Sequence, residues 1–168
     1  MNALEMSIQM EIEGKEYYYT AAMNAGDSLG KALFERLAQE EDIHAAKARE
    51  IYDSLDRGEN PLVLEVSLDR GQKIGSIFAE AIKEITPKRE IASGEMEAIE
   101  NALKMEGKSR KFYEEQTGSA ATRFEEHFFK ALVSEEQGHY LSLLSYREYL
   151  IDPVGWFTKS EHHSMDGG

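Results

Sequence analysis

The chain has 168 residues, a formal net charge of -13 and no cysteine. That length suits a single domain with a sizeable core. The acidic balance argues against nucleic acid or an anionic membrane as a partner, and the missing thiols exclude disulfides, iron–sulfur clusters and a cysteine-held iron in this chain. No apolar run reaches the ~18 residues needed to cross a bilayer, and the first residues lack a signal-peptide pattern, so a cytoplasmic location is expected.

Few prolines and abundant Glu, Ala, Leu and Lys predict an all-α protein. The first helix is expected over residues 2–25, where Leu4, Ile8, Glu11, Lys15, Tyr18 and Ala22 form the stripe of a bundle-facing helix. Glu11 interrupts that stripe with a charge, whereas Glu5, Glu13 and Glu16 read as a solvated face. Gly26 is expected to stop the helix in the left-handed conformation, with Asp27 or Ser28 capping the next.

A second helix follows over 29–57, with Phe34, Leu37, Glu41, His44, Ala48, Ile51 and Leu55 in its seam. A long connection then carries a short amphipathic helix near 72–85, ended by Pro87. It is long enough to bring the third helix back to the opposite end of the bundle. That third helix is expected over 90–117, with Ile99, Leu103, Glu106 and Tyr113 inward, and Gly118 begins a loop. The fourth, over 121–150, sets Phe129, Leu132, Glu136, His139, Leu143, Tyr146 and Leu150 inward. A tail from about 151 carries Trp156 and Phe157, expected to pack on the bundle or a partner subunit, and the solvated His162 and His163.

An offset of 95 residues superimposes the two halves without a gap. Met10-Glu11 falls on Met105-Glu106, Tyr17-Tyr18 on Phe112-Tyr113, Phe34 on Phe129, and Glu40, Glu41 and His44 on Glu135, Glu136 and His139. Each half is a helix with one Glu followed by a helix with Glu-x-x-His, whose two side chains share one helix face. Glu11, Glu41, His44, Glu106, Glu136 and His139 are together the ligand inventory of a carboxylate-bridged dinuclear metal centre.

An isolated carboxylate in a core seam is costly, so cations should accompany these four. Two ferrous ions neutralise four glutamates, and oxygen and imidazole donors without sulfur suit iron or manganese; zinc also fits. Glu41 and Glu136 are expected to bridge the ions, with Glu11 and His44 completing one and Glu106 and His139 the other. Tyr18 and Tyr113 lie two turns after Glu11 and Glu106, placed either to hydrogen-bond a ligand carboxylate across the bundle or to serve as aromatic core. Glu40 and Glu135 either orient the histidines through the free ring nitrogen or face solvent. His127 lies half a turn away from the site-facing side.

With these motifs in place, residues 3–150 resemble the rubrerythrin branch of the ferritin-like superfamily. The resemblance rests on Met10-Glu11 with Tyr17-Tyr18, on Leu37 to His44, on Met105-Glu106 with Phe112-Tyr113, and on Val133 to His139. It implies a ferritin-like four-helix bundle with one long crossover between the second and third helices. It also implies a centre of two iron ions, a small-molecule oxidant such as hydrogen peroxide or dioxygen, an external electron-donor protein and a homodimer. Bacterioferritins resemble the chain equally in ligand set, which implies a ferroxidase or iron-handling role as the alternative; a non-enzymatic metal-binding bundle is the third. Rubrerythrins commonly add a Glu three residues after the third-helix ligand, where this chain has Ser109.

Overall fold

Asn2 starts the first helix with a reciprocal cap: its side chain accepts from the Glu5 N–H at 2.9 Å, and the Glu5 carboxylate accepts from the Asn2 N–H at 2.7 Å. The computed structural model describes residues 2–59, 91, 94–156 and 158–159. Within them lie four helices: α1 Ala3–Asn24, α2 Ser28–Asp56, α3 Glu95–Ser119 and α4 Arg123–Ile151. No strand occurs among the described residues. The amphipathic segment expected at 72–85, Phe157, His162 and His163 lie outside them.

Several helix ends differ from expectation. Gly26 is not left-handed; α1 stops at an extended Ala25, and Asp27 caps α2 by accepting from the Gly30 N–H at 2.6 Å. The third helix starts at Glu95, not near 90, because Gly94 precedes it at φ 91°, a conformation that glycine reaches without strain. It also runs through Gly118 to Ser119. A capping box of Thr122 and Glu125 then starts α4.

Cross-helix contacts give the direction of every helix. Lys15 pairs with Asp42 and Glu11 with His44, so α1 and α2 are antiparallel. Tyr18 reaches Glu106 while Tyr113 reaches Glu11, so α1 and α3 are antiparallel. Phe34 meets Tyr146 while Glu40 meets His139, so α2 and α4 are antiparallel. Helices α2 and α3 are therefore parallel, and α3 begins at the end of the bundle where α2 also begins. The end of α2 and the start of α3 thus lie at opposite ends of the bundle, roughly 37 Å apart at 1.5 Å per residue for the 25 residues of α3. This is the ferritin-like topology with its single long crossover.

The inward stripe of α1 also differs from expectation in two places. Ser7 and Gly14 are buried where Ile8 and Lys15 were expected, and both of those are only partly buried. Small side chains let α1 approach its neighbours closely, and Lys15 turns outward to Asp42 at 2.6 Å. In α2, Leu55 is likewise only partly buried.

The core forms two apolar layers. One gathers Tyr18, Leu33, Phe34, Leu37, Ile99, Leu103, Leu143 and Tyr146. The other gathers Leu4, Ala48, Ile51, Tyr113, Phe128, Phe129 and Leu132. Trp156 folds back onto the first, edge-on to Tyr149, with its indole N–H donating to the Ser145 hydroxyl at 3.0 Å. The expected packing of the tail on the bundle thus holds for Trp156. No described helix is long and apolar enough to cross a membrane.

Candidate metal centre

Between the two apolar layers lies a layer of charge. Glu11 from α1, Glu41 and His44 from α2, Glu106 from α3, and Glu136 and His139 from α4 are all at most 3 % exposed. Within each of α2 and α4, three-residue spacing turns carboxylate and imidazole onto the same inward face. Their donor atoms form two groups: Glu11, Glu41, His44 and Glu136, and Glu41, Glu106, Glu136 and His139. Within each group the atoms lie within 4.8 Å of one another, and Glu41 and Glu136 belong to both. The two imidazole rings stack 5.6 Å apart.

The surroundings are ordered by the same repeat. Tyr18 donates its hydroxyl hydrogen to Glu106 and Tyr113 donates to Glu11, each across the bundle. Tyr18 stacks on Phe34 and Tyr113 on Phe129, both pairs at 6.2 Å. Of the two readings of these tyrosines, hydrogen bonding to the carboxylates holds, and the rings are core as well. Glu40 and Glu135 are buried, not solvated. Glu40 accepts from the Nε2 of His139 at 3.0 Å. His127 is exposed and outside the cluster.

Burial keeps protons on Glu11 and Glu136, and the carboxylates keep them on the two histidines. Burial first, and the charge of Glu41 second, push Glu11 up to about 8. Glu41 moves the other way: burial opposes its ionisation, but the hydrogen of Glu11 and the neighbouring imidazoles of His139 and His44 hold it well below the usual carboxylate range. Burial, then the charges of Glu106, Glu41 and Glu11, lifts Glu136 well above that range. Burial disfavours the imidazolium of His44, yet its bonds to Glu11 and Glu41 carry it up to about 10. His139 is raised for the same reason, by Glu106, Glu40 and Glu41. Such a proton-loaded cluster can exchange its protons for cations.

The residues fit a pair of metal ions. Glu106 Oε2, Glu136 Oε1 and His139 Nδ1 are buried without a hydrogen-bond partner, and all three belong to residues of the cluster. Buried polar atoms are rarely left so, unless something else is to bind them. The donors are carboxylate oxygens and imidazoles, which suit iron or manganese.

Two contacts have no counterpart in the sequence reading. Arg36 grips one oxygen of Glu40 with Nε at 2.7 Å and Nη2 at 2.6 Å. The available signal was its four-residue distance from a Glu that neighbours the Glu-x-x-His motif. Gly14 packs on Glu41, where an added Cβ would lie 3.4 Å from Cγ and Cδ. No periodicity argument marks that position, because glycine carries no side chain to place.

A hypothetical protein from Pyrococcus furiosus, Pfu-1136390-001, has a similar solved structure, with a TM-score of 0.65 and 22 % identity over 89 % of this chain and 88 % of that one. At that identity the likeness concerns the fold. No curated protein matches the chain. The family model described as Rubrerythrin matches residues 2–146. A match over that span, on a bundle carrying a buried cluster of glutamate and histidine, places the chain in the rubrerythrin family.

Proposed function

We propose that the cluster holds two iron ions and that the protein reduces hydrogen peroxide or dioxygen with electrons from an external donor protein. The observation that carries this reading is the pair of overlapping donor groups that share Glu41 and Glu136. Shared carboxylates suit a dinuclear centre better than two independent mononuclear ones. Bound there, two ferrous ions would supply two electrons, which with two protons take hydrogen peroxide to two waters or dioxygen to the peroxide level.

The chain's own residues do the rest. Glu41 and Glu136, common to both donor groups, would serve both ions; Glu11 with His44 would complete the holding of one and Glu106 with His139 that of the other. Tyr18 and Tyr113 donate to Glu106 and Glu11, fixing which carboxylate oxygens stay available. The apolar layers above and below exclude water from the charged layer. These 168 residues hold no cysteine for a further iron centre, and an external donor protein would supply the electrons of each further turnover. Ser109 in place of an additional glutamate favours a ferroxidase as the second reading, since the ligand set is then the symmetric six.

Anaerobic loading with ferrous iron, followed by stopped-flow mixing with hydrogen peroxide or dioxygen, separates the readings. The near-ultraviolet band of the diferric product is expected to rise faster with peroxide. Fast oxidation by dioxygen and slow oxidation by peroxide selects the ferroxidase. No band with either oxidant, on protein shown to carry two irons, refutes both.

A further inference from the structure

The two histidines of the cluster are held differently. His139 gives its Nε2–H to Glu40 at 3.0 Å, and the other oxygen of that carboxylate is gripped by Arg36. Glu40 is thus bonded at both oxygens and almost fully buried, as Arg36 largely is. With Nε2–H committed to Glu40, the nitrogen turned to the cluster is Nδ1, buried without a hydrogen-bond partner, 3.2 Å from Glu41 and 3.6 Å from Glu106. The chain of contacts therefore fixes the ring angle and which nitrogen faces an incoming ion.

His44 lacks that arrangement. Its Nδ1 also faces the cluster, 3.3 Å from Glu11 and 3.6 Å from Glu41. Among the described residues, however, no carboxylate bonds its Nε2. The repeat places Ala131 where the first half has Arg36, so no arginine stands one helical turn before Glu135.

We infer that the two ion positions are unequal: Arg36, acting through Glu40, makes the His139 side a preorganised, tightly held position, and the His44 side the exchangeable one. This rests on the dinuclear reading above. Arg36 and Glu40 are positioning residues, since neither belongs to the donor groups. Removal of partners that orient a ligating histidine typically weakens metal binding by about 10–100-fold. The tight position then keeps its ion through turnover, while the other is the place where an ion enters or leaves.

Anaerobic titration with Co(II), followed by visible absorbance and calorimetry, tests this without any turnover. Wild-type protein is expected to bind two ions in separate steps, the first at least about tenfold tighter than the second. Arg36→Ala and Glu40→Gln should each weaken the first step by about 10–100-fold and leave the second within about threefold. Arg36→Lys, which keeps the charge and loses the fork, should restore part of the difference. Proton spectra of the cobalt protein should show one shifted imidazole N–H that exchanges slowly with solvent, and Glu40→Gln should make it exchange fast; a merely structural role would not move that signal. Two equal steps in the wild type overturn the inference, as does an unchanged first step in helical, folded Arg36→Ala and Glu40→Gln. Uptake of fewer than two ions by wild-type protein defeats the dinuclear reading itself, and the inference with it.

Discussion

The hairpin of α1 and α2 and the hairpin of α3 and α4 carry the same Glu and Glu-x-x-His at the same spacing, yet they are packed unequally. In the first, Gly14 sits directly against Glu41, and Arg36 extends the cluster through Glu40. In the second, the corresponding positions are the partly buried Ser109 and Ala131, and a Cβ added at Gly107 or Gly138, beside two ligand-type residues, would meet nothing within 4 Å. The cross-bundle tyrosines, in contrast, follow the repeat in both directions. The charged layer and its tyrosine donors are therefore duplicated, and the positions of Gly14 and Arg36 are not. Residues that meet at the pseudo-twofold must match one another, whereas those behind them are free to diverge.

The comparison breaks first at the shared carboxylates. Glu41→Ala or Glu136→Ala should each lose both ions, because each serves both donor groups; elemental analysis after loading and desalting would read this directly. Retention of one full equivalent in either variant would make the two halves independent sites. Glu13→Gln, on the exposed face, should keep both.

A pH series on metal-free protein comes next. Glu11, raised to about 8, keeps in the folded state a proton that the unfolded chain releases near 4.5. His44, raised to about 10, does the same above 6.5. In both intervals the folded state binds more protons, so stability falls as pH rises. The melting temperature of apoprotein should decline from pH 5 to pH 9, and metal loading should flatten that decline, because cations then occupy the place of those protons. An apoprotein whose melting temperature rises across the same interval would contradict the proton-loaded cluster.

The tyrosines test the part that is symmetric. Tyr18→Phe and Tyr113→Phe each leave a buried carboxylate oxygen short of a donor and should cost about 1–3 kcal/mol in urea unfolding. Similar losses would support a duplicated frame, and a loss confined to one would show the duplication to be formal. The smallest effect concerns the asymmetric packing. Gly14→Val should cost about 1–2 kcal/mol through overpacking against Glu41, whereas Ser109→Ala should stay within about 0.5 kcal/mol.

Much of this molecule was legible along the chain because helical spacing and the repeat are both carried by residue identity alone. Helical spacing set Phe129, Leu132, Glu136, His139, Leu143, Tyr146 and Leu150 on one face, and all seven are buried. The offset of 95 residues paired the six donors before any contact was known. Helix ends were less legible, since they turn on single backbone conformations: Gly26 had the residue type for a left-handed stop and did not take it, while Gly94 did.

Only the tertiary structure decided which partner each group meets. Periodicity gives the face of a helix that turns inward, not the residue opposite. That Tyr18 answers Glu106 and Tyr113 answers Glu11 depends on α1 and α3 being antiparallel. That Ser7 and Gly14 displace Ile8 and Lys15 from the seam depends on how near α1 comes to its neighbours. That Glu40 is buried against an imidazole and not solvated depends on His139, 99 residues away. Composition and spacing determined the kinds of group available and the faces they occupy; close approach between helices, which no local period encodes, determined what those groups do.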